Sequence, residues 1–272
     1  MLGYSDAIAV SDAEVARYLQ LGLEIAEEAG RTTLPYFRSE VTITNKRQDG
    51  RFDPVTEADH AVEKVIRRRL AERVPDHGIY GEEFGHVPGN GLTWVIDPID
   101  GTRAFMTGML HWGVLLALFD GRRPVLGIMH QPFTGEFFYG DGRSAHYRRG
   151  GENRSIKANP SPGLGEALLT TTSPGLISDR RERAAFDRLE KAVKLSKYGG
   201  DCYIYAMVAM GYVDLAVDGG LQPYDIQALV PIIQGAGGVV TTADGGDPSM
   251  GGFIVAASGA ELHAQALACM RG

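Results

Sequence analysis

The stretch WVIDPIDGT, Trp94 to Thr102, narrows the possibilities for this chain more than any other. An apolar run suited to a buried strand ends by sending Asp97 and Asp100 into one small region. Carboxylates that close repel each other and lose hydration, so their shared burial calls for a compensating charge. A cation is the simplest one, and oxygen donors without His or Cys favour a hard ion such as Mg2+ over Zn2+. Gly101 and Thr102 follow at once. A residue without Cβ lets the backbone approach a ligand closely, and successive N–H groups in such a turn form an anion-binding nest. Carboxylates for a metal beside N–H donors for an anion suit a phosphate ester. Two metal ions about 3.5–4 Å apart can bridge such a phosphate, acidify a bound water and neutralise the leaving oxygen, which makes phosphomonoester hydrolysis the reaction class.

Further acids stand at the ends of expected elements: Asp53 and Asp59 in DPVTEAD, Glu82 and Glu83 in GEE, and Asp225 in PYD. Side chains from separate segments can converge from such positions on one cleft. Taken singly, each has a local use. Thr56 to Asp59 fits a helix capping box, Asp225 falls in a first helical turn, and Glu82-Glu83 fits a solvated turn. His111, His130 and His146 show no mutual ligand spacing and read as packing or surface residues.

The 272 residues, 44% of them hydrophobic, suffice for one large domain or two modest ones. A net charge of −7, with no basic block, argues against a nucleic-acid-binding face. Cys202 and Cys269 lack a paired spacing, so neither a disulfide framework nor a zinc site is indicated, and a reducing cytoplasm is the expected setting. Neither an export signal nor a membrane span is read. Helical periodicity marks Ser11 to about Pro35 and a second helix from Thr56 through Leu70, with RQDGRFD between them as a polar loop that could move. A series of strands follows from GIYGEE to the hairpins of GEFFYGDGRSAHYRRGGENRSIKAN. Beyond Pro160 strands and helices alternate, with one helix expected across PYDIQALVPIIQGAG. The boundary is placed near residues 150–160, giving an N-terminal half, 1–155, with most candidate ligands, and a C-terminal half, 156–272, with Asp225 and the substrate pocket.

DPVTEAD, GEE, WVIDPIDGT and PYDIQALVPIIQGAGG, in this order, strongly resemble the inositol monophosphatase family of Mg2+-dependent phosphatases. The likeness covers essentially the whole chain and implies an α/β fold, a layered αβαβα sandwich with the site between its halves. It implies Glu82, Asp97, the Ile99 carbonyl, Asp100 and Asp225 as ligands for two or three Mg2+ ions, and Gly101 and Thr102 as the phosphate cradle. Asp59 matches the acid that activates the attacking water with Thr102, while Glu82 holds the metal that acidifies it. Lys46 matches a lysine of a loop whose length differs here. The likeness also implies a homodimer acting on a small phosphomonoester, without nucleic acid or membrane.

Within the family, YGGDCY and LQPYDIQALVPII are most similar to the histidinol-phosphate phosphatases of histidine biosynthesis. That substrate carries an ammonium and an imidazole beside its phosphate, and its pocket wants acceptors away from the metals. Asp201, Asp218 and Tyr224 are the candidates, although Asp201 also suits a helix N-cap and Asp218 a turn before Gly219-Gly220. Tyr203, Tyr205, Met207 and Met210 read as core packing. Alternatives are an inositol-directed or broader phosphatase and a regulatory protein associated with RNA; the retained acid set and the acidic charge favour catalysis.

Overall fold

The computed structural model describes residues 2–39, 43–45, 54–159 and 162–272. Lys46, Asp53 and the RQDGRFD loop lie outside the described residues. Helix α1 (Asp12–Thr33) opens on a capping box: Ser11 Oγ accepts the Glu14 N–H at 3.3 Å, and the Ser11 N–H donates to the Glu14 carboxylate at 2.9 Å. It ends at Thr33, two residues before Pro35, which has no N–H to return to the Arg31 carbonyl. Two short strands, β1 (Ile43–Asn45) and β2 (Pro54–Thr56), pair antiparallel and lead into α2 (Glu57–Arg73).

The first large sheet follows: β3 (Gly78–Gly81), β4 (Gly85–Val87), β5 (Thr93–Asp100), the short helix α3 (Thr102–Met106), β6 (Gly113–Phe119), β7 (Pro124–Gln131), β8 (Glu136–Gly140), β9 (Ala145–Arg149) and β10 (Glu152–Ser155). Its eight strands run in the order β10-β9-β8-β7-β6-β5-β3-β4, antiparallel except where β3 lies beside β5. The rest of the chain is β11 (Leu168–Thr171), α4 (Arg180–Ala192), β12 (Leu195–Tyr198), α5 (Asp201–Ala209), β13 (Leu215–Leu221), α6 (Pro223–Ile226), α7 (Leu229–Gly235), β14 (Val239–Thr242), β15 (Gly252–Ala257) and α8 (Ala260–Arg271). Its five strands order as β12-β11-β13-β15-β14; β12, β11 and β13 are parallel, while β15 is antiparallel to both neighbours.

Helices α1 and α2 cover one face of the large sheet, α5 to α7 fill the space between the sheets, and α4 and α8 close the far side, giving the αβαβα sandwich. Strands covered on both faces must be apolar on both, which explains the unbroken run of β5. Trp94 and Ile96 enter the core beneath α1 and α2, and Val95 enters the core of the middle helices. The segment expected as one helix from Pro223 is two. Pro231 has no N–H to return to the Gln227 carbonyl, so the ladder lapses at Gln227-Ala228 and α7 starts afresh at Leu229. Among the described residues no helix is long and apolar enough to cross a membrane.

Candidate active site

Asp97 and Asp100 are three residues apart, and on a regular strand an odd offset would aim them at opposite faces. The register of β5 against β6 slips between them: Asp97 pairs with Leu115 but Asp100 with Gly113. The extra residue on β5 is a bulge at Pro98-Ile99, and it returns Asp100 to the face that Asp97 occupies. There they meet Asp225 from the first turn of α6, with carboxylate oxygens of all three within 4.8 Å of one another. Asp97, only 2% exposed, takes the Ile99 N–H on Oδ1 at 3.0 Å. Asp225 accepts the Gln222 N–H at 2.6 Å. The N–H of Cys202, at the start of α5, donates to Asp100 Oδ2 at 2.7 Å, so both halves of the chain grip the cluster.

Burial raises the Asp97 carboxyl well above the usual carboxylate range, and the charges of Glu82, Asp100 and Asp225 push it further. Asp100 and Asp225 are raised too, again chiefly by burial. Acids in this state are short of positive charge, and the donors are all oxygen, so the cluster fits a hard divalent cation. Glu82, the carbonyl-bearing Ile99, Gly101 and Thr102 line a cavity of about 200 Å3 together with these three acids and Asp201. Gly101 is in the left-handed region at φ 84°, and a Cβ there would stand 2.4 Å from the His111 carbonyl oxygen. Only glycine fits that turn. Thr102 Oγ1 donates to the Ile99 carbonyl at 3.1 Å.

Asp59 performs its local task and also faces the cluster. Its Oδ2 accepts the Thr56 N–H at 2.8 Å and the Thr56 hydroxyl at 2.6 Å, and its charge contributes to the field on Asp97. Asp201 is not the helix cap: Gly200 holds that position, and Asp201 takes a strained φ of 44° as the first residue of α5. Burial raises its pKa, as do the charges of Asp100 and Asp218. Asp218 is no turn residue. It lies inside β13, 4% exposed, and its two oxygens accept bonds from Thr171 Oγ1, Thr172 N, Thr172 Oγ1 and Tyr205 Oη at 2.7–3.1 Å. Four donors fill the ordinary capacity of a carboxylate, and burial still lifts its pKa to about 6. Tyr224 does not line either cavity described here; its ring packs on Tyr80 with centroids 6.0 Å apart.

A second cavity of about 120 Å3 continues from the acids, lined by Asp100, Thr172, Leu176, Asp201, Tyr205 and Asp218 among others. Sequence reading passed over Thr172 and Leu176, and it assigned Tyr205 to packing alone, although this buried tyrosine also donates to Asp218. Arg103 lines the larger cavity and offsets part of the charge around Asp201. A cation directly after Gly-Thr was the available signal. A roomier cavity of about 380 Å3, lined by Arg31, His130, Phe137 and Arg148, shares no residue with the acid cluster.

The model of the inositol monophosphatase family matches residues 14–271. The chain belongs to that family. It is therefore a phosphatase, a hydrolase of phosphoric monoesters. The chloroplastic bifunctional phosphatase IMPL2 of Arabidopsis thaliana is 38% identical over 271 residues, covering 95% of this chain and 76% of that protein. A histidinol-phosphatase of Chlorobaculum parvum is 37% identical, with 81% of this chain and 83% of the relative covered. Among solved structures, an inositol monophosphatase from Zymomonas mobilis superposes with a TM-score of 0.84 at 35% identity, covering 97% of this chain and all of the other.

Proposed function

We propose that this phosphatase hydrolyses L-histidinol phosphate to L-histidinol and phosphate, with Mg2+ held by Glu82, Asp97, the Ile99 carbonyl, Asp100 and Asp225. The observation that carries the choice of substrate is Asp201, a half-buried carboxylate with no capping duty, on the wall shared by the two cavities. A phosphate seated over Gly101 and Thr102 leaves its alcohol pointing toward Asp201, which suits a cationic leaving group better than a neutral polyol. Similarity to a protein named histidinol-phosphatase supports the same reading. Asp218, saturated by four protein donors, acts on the substrate through its negative charge and through the Thr172 and Tyr205 side chains it fixes. Tyr224 belongs to the same proposal as a residue bordering the substrate, next to Asp225 in the first turn of α6 and with its ring on Tyr80.

Bound Mg2+ supplies the Lewis acid that makes water nucleophilic near neutral pH and offsets the phosphate charge. Asp59, held in one orientation by Thr56, accepts the proton of the attacking water, which the Thr102 hydroxyl orients. The turn at Gly101-Thr102 presents backbone N–H groups to the phosphoryl oxygens, and Arg103 adds positive charge at the same cavity. Water attacks phosphorus, the bond to the ester oxygen breaks, and the leaving oxygen takes up a proton from solvent water, so that the alcohol departs along the cavity walled by Asp201. A cytoplasmic homodimer belongs to the same proposal, resting on the family resemblance and on Cys202 and Cys269, both free thiols.

The test compares kcat/KM for L-histidinol phosphate and myo-inositol 1-phosphate, with Mg2+ and with a chelator, in the unaltered protein and in Asp201→Asn. The expected result is Mg2+-dependent preference for histidinol phosphate. Asp201→Asn should lower that kcat/KM about 10- to 100-fold, the worth of a charged hydrogen bond, and leave the inositol ester nearly untouched. Equal rates on both esters would favour the broader phosphatase, and a preference for the inositol ester would favour an inositol-directed enzyme, as the similarity to a protein named inositol monophosphatase supports.

A further inference from the structure

The turn that carries Glu82 is built in an unusual way. β3 and β4 pair through Gly81 and Gly85, leaving Glu82, Glu83 and Phe84 as a three-residue loop whose N–H groups need partners. One side chain of α2 takes two of them. Glu63, fully buried, accepts the Glu83 N–H on Oε2 at 2.8 Å and the Phe84 N–H on Oε1 at 3.2 Å. Arg67, one helical turn on, donates from Nε to Glu63 Oε1 at 2.7 Å and from its terminal nitrogen to the Gly85 carbonyl, tying off the far end of the loop. His60, from the same helix, brings Nε2 to 3.3 Å from the Glu83 carboxylate. On the near side the Glu82 N–H donates to the Ile96 carbonyl of β5 at 3.2 Å. The backbone is thus tied on both sides of Glu82.

A buried ion pair is a weak source of stability, because desolvation offsets most of its attraction. Its cost here coincides with a fixed backbone position for Glu82, an acid that lines the cavity beside the cluster. Gly81 belongs to the same device: a Cβ on it would lie 2.0 Å from Glu63 Oε1, so the carboxylate reaches the loop only because that position is glycine.

We propose that Glu63 and Arg67 are positioning residues for the metal centre, holding the Glu82 loop so that the Glu82 carboxylate faces the cation; this rests on the reading of Glu82 as a metal ligand. Neither residue lines the two cavities at the acids. Losing them therefore weakens the metal and spares substrate recognition once the metal is saturating.

The test is Mg2+ binding by titration calorimetry to the full chain, stripped of metal with a chelator, for the unaltered protein, Glu63→Gln, Arg67→Lys and Ser11→Ala. Glu63→Gln should raise the Mg2+ dissociation constant about 10- to 100-fold, as outer-shell changes do, with Arg67→Lys between it and the unaltered protein. KM for the phosphate ester at saturating Mg2+ should not move. Ser11→Ala, which weakens a distant helix cap, should bind Mg2+ normally. Where Glu63→Gln does not fold, Gly81→Ala replaces it, since it displaces the same carboxylate without changing charge. Unchanged Mg2+ binding in the folded variants overturns the proposal, as does an equal loss in Ser11→Ala. No binding by the unaltered protein overturns the metal centre itself, and the proposal with it.

Discussion

Asp97 combines near-complete burial with four acidic neighbours, and its amide variant separates what the charge does for chemistry from what it does for the fold. In Asp97→Asn the side chain keeps its size and an oxygen for the Ile99 N–H, but one ligand charge is gone. Phosphate release should fall to the rate without enzyme, while the metal-free variant melts no lower than the parent, because a buried like charge has been removed. Turnover near the normal rate would take Asp97 out of the site. Asp201 and Asp218 illustrate the same separation. Both are acids in the inner wall, yet four protein donors occupy Asp218 and the helix cap beside Asp201 is a glycine.

At the scale of elements, two helices start with the same motif and differ in what it serves. Ser11 caps α1 through Glu14, and Thr56 caps α2 through Asp59. Replacing either by Ala should cost about 1 kcal/mol in denaturant unfolding, the usual worth of such a cap. Only Thr56→Ala should also lower kcat, because the Asp59 carboxylate loses the hydroxyl that sets its orientation. Equal kcat in the two variants would mean that the cap does nothing for the water. The bulge of β5 is another element with two uses. It shifts the pairing with β6 by one residue and turns Asp100 to the same side as Asp97.

The whole molecule matters because the acids come from both sides of the sandwich. Glu82 stands in the β3–β4 loop and Asp97 and Asp100 on β5 of the large sheet, and Asp225 follows β13 of the small one. A cation shared by them, as proposed, would stabilise the folded chain by mass action, about 2.7 kcal/mol at a hundred times the dissociation constant. Protons compete with it. Asp225 is raised to about 7 and Asp100 to about 8 in the fold, against about 3.9 for an unfolded Asp. The metal-free native state therefore holds more protons than the unfolded chain. The stability these groups contribute is present at low pH and lost as pH rises through 7 and 8. The rise in melting temperature on adding Mg2+ should accordingly be small at pH 5 and larger at pH 8. A rise independent of pH would mean that the ion does not bind through these carboxylates.

Much of the protein was legible in its sequence because local rules carried it. Ser11 marked a helix start, the apolar run of Trp94–Ile96 marked a buried strand, and DPIDGT marked acids in need of a cation beside a turn in need of glycine. Other features depend on contacts between residues far apart in the chain, where periodicity carries no information. Nothing in the local pattern shows that Asp218 is spent on Thr171, Thr172 and Tyr205, that Tyr224 turns to Tyr80, or that Glu63 reaches the loop after Glu82. The kinds of residue at the site, and hence the class of chemistry, were determined by the sequence alone. Which acids point the same way was decided by the register slip in β5 and by the packing of α2 and α5 against the sheet, because direction in space is a property of backbone pairing.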